Sequence, residues 1–399
     1  MPFVDQRLID LLYDMEAINW TIFSYNISDM LDRYDFNEED ADEYERLYAA
    51  GVYINNYYLW IIFGFGFPGN IASTVTLSRM KPMTTSKFYV ALLAIIDNLA
   101  ILQKLIYHQL TYHEVTIGST GCRIMNFLYL CLVTYSNWIL VFMAIERFMA
   151  VTIPLRVTVI WNLNRARLSM IILGVVIAGI YFHAFWTTLS HDGMQCGIAE
   201  KYIFFYKRIW YWINASLYSF IPSVILIVCN VLITLRVRKS RQRRSRLYSE
   251  TERERRVHLN RYERQITAML LTVAVAFLIL TLPRTIFILI HSSWTPGRLS
   301  LNYARKLLLD QLTFFLCDAT HAVNFYLYFI TGQKFRQSFI GTVFGQSHNS
   351  SVAFNHSRVQ MTLNGSGDTS LNPGSLTCKT CVNVKGHEWI VLQQRHVYK

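Results

Sequence analysis

The feature that most constrains this chain is a series of seven apolar stretches, each about twenty residues or longer. A helix of that length crosses a hydrocarbon core of about 30 Å and satisfies its own backbone hydrogen bonds there. Across 399 residues, 53% of the side chains are hydrophobic and only 16% are charged, which is too apolar for an ordinary soluble protein. The sequence therefore predicts an all-α membrane protein, a seven-helix bundle with spans at 54–77, 88–108, 122–150, 168–189, 209–235, 266–291 and 307–330.

Lysine and arginine indicate which way the bundle faces, because short basic loops stay in the cytoplasm. The connection between the fifth and sixth spans, residues 236–264, holds twelve Lys or Arg, and the other connections on that side are also basic. We therefore expect a multi-pass plasma-membrane protein with an extracellular amino terminus. Orientation and anionic membrane lipid account for the net charge of +12, so no nucleic-acid partner is required.

Three regions follow from this topology. Residues 1–52 are predicted to be an acidic extracellular segment, glycosylated at Asn19 and Asn26. It contains no pattern of a cleavable signal peptide, so we expect the first span to act as the insertion signal. Residues 53–342 form the membrane domain, which ends in a short amphipathic helix on the membrane surface. Residues 343–399 are rich in Ser, Asn, Gly and Thr and are predicted to be a disordered cytoplasmic tail.

The seven cysteines divide by compartment. On the predicted topology only Cys122 and Cys196 lie on the oxidising side, so we predict a disulfide that ties the second outer loop to the third span. Cys378 and Cys381 lie in the tail. Palmitoylation or free thiols are favoured there over metal binding, because no second pair of cysteines completes a zinc site.

Two opposite charges, Glu146 and Arg147, follow directly on the third apolar stretch, where an unpaired charge is costly and usually functional. Arg147 lies 25 residues after Cys122. Further matching elements, from the first span to the seventh, are Gly69-Asn70, Asp97, Pro154-Leu155, Pro222, Phe277, Pro283 and Asn324-Phe-Tyr-Leu-Tyr328. Together they resemble the rhodopsin-like family of G-protein-coupled receptors over residues 53–340. The resemblance implies a receptor that activates a heterotrimeric G protein, with arrestin as a further partner.

The resemblance also implies an activation switch at the cytoplasmic ends of the spans. Arg147 would be held inactive by Glu146 and by Glu263 of the sixth span, until that span moves outward and admits the G protein. Asn324 and Tyr328 would belong to the same switch. The alternative interpretation is that Glu146 and Arg147 form a simple ion pair at the membrane interface.

A polar group in the middle of the membrane matches the family's sodium pocket. Its members are Asp97, Ser136 and Asn324, and a carboxylate in hydrocarbon needs a cation or several hydrogen-bond donors. The resemblance therefore implies an allosteric Na⁺ ion at Asp97, with a water-bridged polar cluster as the alternative, and no other cofactor is expected. His321 departs from the family pattern near this site.

The outer half of the bundle is where the resemblance implies a ligand pocket. Its charged and aromatic candidates are Lys104, His108, Tyr129, Arg284, Asp310 and Asp318. Tyr129 and Asp318 stand where aminergic receptors carry an Asp and opsins carry a Schiff-base Lys, which disfavours both classes. Arg284 within a span requires an anion or a water-filled cavity. Lys104 and Asp318 are expected to be neighbours, and the alternative to a ligand role is that they only neutralise each other.

A charged, wide, aromatic-lined pocket favours a peptide ligand over a lipid tail. The acidic segment 29–45 would concentrate a basic ligand. Phe325, in place of a proline, also occurs in invertebrate neuropeptide receptors, and the chain looks most like those of the FMRFamide-receptor-like kind. We therefore predict a receptor for a short, amidated, basic neuropeptide. The alternative ligand is a lipid or small carboxylate held by Arg284.

Two classes outside the receptors are disfavoured. A seven-span transporter or channel would show paired broken helices or an internal repeat, and neither is found in the sequence. An enzyme would need a set of catalytic groups at matching positions. The histidines within the spans, His183 and His321, have no companions at metal-binding spacing, so we do not expect an enzyme.

Overall fold

The computed structural model describes residues 38–344 except 154–156, 158–160, 192–194, 248–249, 292–293, 295 and 297–299. The side chains of 38–39, 191, 195, 240–266 and 291 are also outside the description. Several predicted features therefore lie outside the described residues, namely the glycosylation acceptors Asn19 and Asn26, the tail cysteines Cys378 and Cys381, and the side chain of Glu263.

Seven long helices form a bundle in the described part of the chain, and a short eighth helix follows them. Their bounds are α1 Glu38–Arg79, α2 Thr85–Tyr112, α3 Gly118–Thr152, α4 Leu163–Tyr181, α5 residues 200–247, α6 Glu250–His291, α7 Leu301–Thr331 and α8 Gln333–Val343. A helical turn, Ala184–Thr187, and a two-stranded antiparallel sheet, β1 Thr188–His191 and β2 Gln195–Ile198, connect α4 to α5. The predicted all-α bundle is confirmed.

Six helices of the described chain are long and apolar enough to cross a membrane by length and composition alone. The seventh, α7, falls short because it carries several buried polar side chains, among them Asp310, Asp318, His321 and Asn324. These side chains face the interior of the bundle, where neighbouring helices supply their partners. The polar side chains of α7 therefore take part in buried contacts within the bundle.

α1 begins at Glu38, well before the predicted start of the first span at residue 54. The additional turns, which belong to the segment predicted as extracellular, pack against α7. Tyr44 and Tyr48 are buried with Ala304 and Leu307. Because two tyrosines four residues apart among acidic residues do not form an apolar stretch, the sequence did not indicate this extension.

The predicted fourth span is too long at its end. It was expected to reach residue 189, but α4 ends at Tyr181. Thr188 already begins β1 and pairs with Ile198 of β2 in the hairpin. By contrast, α5 and α6 continue into the basic connection 236–264, since Arg, Lys and Glu are strong helix formers.

α3 lies at the centre of the bundle and contacts α2, α4, α5, α6 and both strands. Its middle turns bury Ile139 and Val141, which belong to a core shared with Leu93 of α2, Leu226 of α5 and Val273 of α6. The apolar side chains that face outward on α4 and α5 are those expected of helices surrounded by lipid. α3 can therefore connect sites at its two ends.

α5 departs from regular α-helix near its contact with α3. A π-helical turn, Ser216–Phe220, precedes Pro222. Because proline has no N–H, the carbonyl of Tyr218 lacks its α-helical donor. It accepts a hydrogen bond from Asn137 Nδ2 at 2.9 Å instead, and the carbonyl before it accepts one from Trp138 Nε1 at 3.0 Å. α3 thus supplies the donors that the irregular turn of α5 needs.

Candidate binding cavity and buried polar sites

Cys122 and Cys196 form the predicted disulfide, with their Cα atoms 5.3 Å apart. It joins β2 to the first turns of α3. Thr188 of β1 is held by the same helix. Its carbonyl accepts a hydrogen bond from Arg123 Nε at 3.2 Å, and its hydroxyl accepts one from Asn126 Nδ2 at 2.8 Å. We call this end of the bundle the disulfide end and the opposite end of α3 the Arg147 end.

A cavity of about 630 Å³ lies at the disulfide end. Its walls come from α1, α2, α3, α5, α6, α7 and the β hairpin. The volume is within the range of about 300–1,000 Å³ that is usual for ligand sites. All six side chains predicted for the ligand pocket line this one cavity, namely Lys104, His108, Tyr129, Arg284, Asp310 and Asp318.

Two ion pairs lie in the wall of the cavity. Lys104 Nζ is 2.5 Å from Asp318 Oδ2 and joins α2 to α7. Arg284 Nη1 pairs with Asp310 Oδ1 and joins α6 to α7. In each pair the cation is the more exposed member, with side-chain exposures of 19% against 8% and of 16% against 5%. Both members of each pair line the cavity, and the cations are the more accessible of the two charges.

Phe314 lies between the two ion pairs. Its ring centroid is 5.0 Å from Lys104 Nζ and 3.5 Å from the guanidinium carbon of Arg284. The face of an aromatic ring attracts a cation, so one ring stabilises both. Phe314 is not among the residues predicted for the pocket, although it follows Asp310 by four residues and precedes Asp318 by four, a spacing that puts all three on one face of α7.

Lys104 is surrounded by further aromatic rings. Its Nζ lies 5.6 Å from the ring of Tyr129 on α3 and 5.7 Å from that of Tyr58 on α1. His108 lines the same cavity, one helical turn along α2. No sequence signal connects Tyr58 to this site, because the contact depends on how α1 packs on α2 and α7.

At the Arg147 end, Glu146 and Arg147 form a buried pair with exposures of 4% and 6%. Arg147 Nη2 donates to Glu146 Oε1 and Nε donates to Oε2, both at 2.8 Å. Thr85 and Ser86, which open α2, also donate to Glu146, at 2.7 Å and 3.1 Å. Ser86 also accepts from Arg147. A helix amino terminus favours a nearby carboxylate, so the pair is anchored to α2 and is more than an exposed interfacial contact.

On its side toward α5 and α6, Arg147 lines a small pocket of about 10 Å³ together with side chains that include Asn230 and Leu270. Tyr328, predicted to belong to the same switch, is 1% exposed and packs against Phe335 of α8, with ring centroids 5.9 Å apart. The predicted partner Glu263 is on α6, with its side chain outside the described residues.

The structure brings together Asp97, Ser136 and Asn324, as predicted, and adds His321. Asp97 is fully buried. Its Oδ1 accepts from Ser136 Oγ at 2.6 Å and from His321 Nδ1 at 2.7 Å, and its Oδ2 accepts from Asn324 Nδ2 at 2.8 Å. Asn324 is thus bound to this cluster, one turn along α7 from Tyr328.

This arrangement does not fit the Na⁺ ion that the family resemblance implied. A hard cation is held by several oxygen ligands, whereas two of the three groups on Asp97 are nitrogen donors that direct protons toward the carboxylate. His321 Nδ1 lies 2.7 Å from Asp97 Oδ1 and 3.4 Å from Ser136 Oγ, between two of the predicted oxygen ligands.

Comparisons with known proteins were made for the whole chain. Residues 69–328 match the family model described as 7 transmembrane receptor (rhodopsin family). A probable G-protein coupled receptor of Caenorhabditis elegans is 21% identical over 304 residues, which are 71% of this chain and 68% of the relative. Rhodopsin of Myripristis berndti is 24% identical over 76% of this chain and 84% of its own length. Sex peptide receptor-related protein 2 of Caenorhabditis elegans is 25% identical over 51% of this chain, and the match spans 49% of that protein.

Proposed function

The chain belongs to the rhodopsin family of seven-transmembrane receptors, and on this premise we propose that it is a cell-surface receptor for a short peptide. Family membership makes it a multi-pass membrane receptor and implies that it couples a ligand to a heterotrimeric G protein. The observation that carries the peptide assignment is the 630 Å³ cavity with two ion pairs in its wall.

A peptide can interact with both the positive and the negative side chains of the cavity. Its backbone carbonyls or amidated carboxyl end can accept from Lys104 and Arg284, the more exposed members of the pairs. A basic ligand side chain can compete for Asp310 or Asp318, and the acidic segment 29–45 would raise its local concentration. The printed name of one relative, sex peptide receptor-related protein 2, points the same way. A lipid tail has no group that could pair with these four charges.

Signalling would start at the disulfide end and finish at the Arg147 end. Arg147 is held by Glu146 and lines a small pocket with side chains of α5 and α6, so outward motion of α6 would open the space that a G protein needs. The basic connection 236–264 continues α5 and α6 at this end, which supports a cytoplasmic position for it and an extracellular amino terminus. Arrestin binding to a phosphorylated tail and lipid contact by α8 belong to the same proposal.

A second ligand class is a small carboxylate, or a lipid acid whose carboxylate head group binds Arg284 and whose tail fits the same cavity. The observation that favours it is the position of Arg284, which lines the cavity and is more exposed than its partner Asp310, with 16% against 5% of the side chain exposed. A carboxylate would form a bidentate pair with that guanidinium. The two ligand classes differ in which groups they need, so substitutions can separate them.

The test is expression with a panel of G proteins and a screen against amidated basic peptides and against carboxylates. A peptide response that is lost in Arg147→Ala and weakened in Asp318→Asn supports the peptide receptor. A response to acids alone that Arg284→Gln abolishes supports the carboxylate receptor. Solute flux in vesicles without any G-protein response, at normal surface expression, would contradict both.

A further inference from the structure

Asp97 is a fully buried carboxylate at the meeting point of α2, α3 and α7. A charge in that position is costly unless cations or several hydrogen-bond donors compensate it. Ser136, His321 and Asn324 supply three donors to its two oxygens at 2.6–2.8 Å. The carboxylate is therefore satisfied by side chains of the chain itself.

His321 is fixed in this position by its surroundings. Its backbone carbonyl accepts from Asn70 Nδ2 at 2.9 Å. The next residue, Ala322, packs on Gly66 of α1 so closely that a Cβ added to Gly66 would lie 2.9 Å from the Ala322 Cβ. These two contacts hold the backbone of α7 at His321 close to α1.

We propose that His321 takes the place of an allosteric sodium ion in this receptor, so that the Asp97 site does not respond to Na⁺. The imidazole binds the carboxylate oxygen and approaches the serine hydroxyl that a Na⁺ ion would have to share. His321 is thus the residue that determines cation specificity at this position. Removing its ring, while keeping Asp97, Ser136 and Asn324, should create a site that Na⁺ can enter.

The test is the thermal unfolding of the purified full chain in NaCl and in KCl at equal ionic strength, which needs no knowledge of the ligand. For the wild type we expect the same Tm in both salts. For His321→Ser we expect a Tm that rises with Na⁺ and not with K⁺, by about 2–4 °C for each tenfold increase above the dissociation constant. Asp97→Asn in the His321→Ser background should remove this rise.

His183→Ser is the matched control, because His183 is bonded to Ile180 and Tyr206, away from Asp97. It should leave the Tm independent of the choice of cation. A folded His321→Ser protein without a Na⁺ effect would overturn the assignment of specificity to His321. The wild type tests the proposal even if His321→Ser does not fold, since a Na⁺-specific rise in its Tm that Asp97→Asn removes would contradict it.

Discussion

Arg284 and Asp310 form an ion pair that joins α6 to α7 in the wall of the binding cavity, with the guanidinium lying over the ring of Phe314. At the opposite end of the bundle, Arg147 of α3 is packed beneath α6. Arg284 of α6 is thus paired with α7 in the cavity wall, and Arg147 of α3 lies beside the turns of α6 that carry Thr267 and Leu270. A ligand that competes for either member of the Arg284–Asp310 pair would change the forces on the helix that has to move for G-protein binding.

The first prediction concerns the stability that depends on this pair. Asp310→Asn leaves the guanidinium of Arg284 without its carboxylate in a largely buried position. We expect a loss of about 2–4 kcal/mol in the free energy of unfolding, toward the lower part of the range for buried pairs because Arg284 is partly exposed. The double variant Arg284→Met, Asp310→Leu should lose less than the sum of the single variants. Thermal unfolding of the purified receptor measures each step.

The exposed pair between Arg305 and Glu43 is the control for that cycle. Its side chains are 46% and 44% exposed, so Arg305→Gln should cost less than about 1 kcal/mol. Equal losses for the buried and exposed pairs would show that the cavity wall does not depend on the Arg284–Asp310 interaction.

The second prediction uses two glycines of α1 that differ in their surroundings. A Cβ on Gly66 would lie 2.7 Å from Ile101 and 3.0 Å from the backbone of Ala322, whereas a Cβ on Gly64 would have no neighbour within 4 Å. Gly66→Ala should therefore destabilise the bundle by about 1–3 kcal/mol through overpacking. Gly64→Ala should leave stability unchanged or raise it by up to about 1 kcal/mol, since alanine favours helix. Unfolding curves of the two variants, measured in parallel, would be indistinguishable if α1 did not approach α7 this closely.

The spans could be predicted because an apolar stretch is a local signal. The disulfide could be predicted because only two cysteines are available to form it. An apolar stretch is visible in the sequence itself, and only Cys122 and Cys196 lay on one side of the predicted membrane. The family resemblance predicted which residues line the cavity and which surround Asp97. The positions of the family motifs carry three-dimensional information that hydrophobic periodicity alone does not contain.

The contacts that were missed all depend on packing between distant segments. Tyr44 adds no apolar stretch to the sequence, yet it is buried on α7 and lengthens α1. Thr85 looks like an ordinary first residue of a helix, and nothing marks it as a partner of Glu146, 61 residues away. The π-helical turn before Pro222 requires hydrogen-bond donors from α3, and no pattern in the sequence of α5 indicates that requirement.

The third prediction concerns basal signalling. Glu146→Gln keeps the shape of the side chain but removes the charge that pairs with Arg147, so Arg147 is held less firmly. We expect basal G-protein activation to rise several-fold at equal surface expression. Ser86→Ala, which removes one donor to Glu146, should raise it less. Glu263→Ala should also raise basal activation if Glu263 helps to hold Arg147 inactive, as the family resemblance implies.

Arg147→Ala in the same assay gives the background signal of a receptor that does not activate the G protein. Basal activity of Glu146→Gln that stays at the wild-type level, with normal expression, would count against a restraining role for the pair. A rise in Ser86→Ala without one in Glu146→Gln would assign the restraint to α2 and not to the carboxylate.

The fourth prediction tests the link between α3 and the irregular turn of α5. Asn137→Leu removes the donor to the Tyr218 carbonyl and leaves a buried acceptor unsatisfied, which should cost about 1–3 kcal/mol in the free energy of unfolding. Pro222→Ala supplies a backbone N–H that can reach the same carbonyl once the turn relaxes to α-helix. The double variant should therefore be more stable than Asn137→Leu alone, as measured by thermal unfolding. Additive losses in the double variant would mean that Pro222 is not the reason why this carbonyl depends on α3.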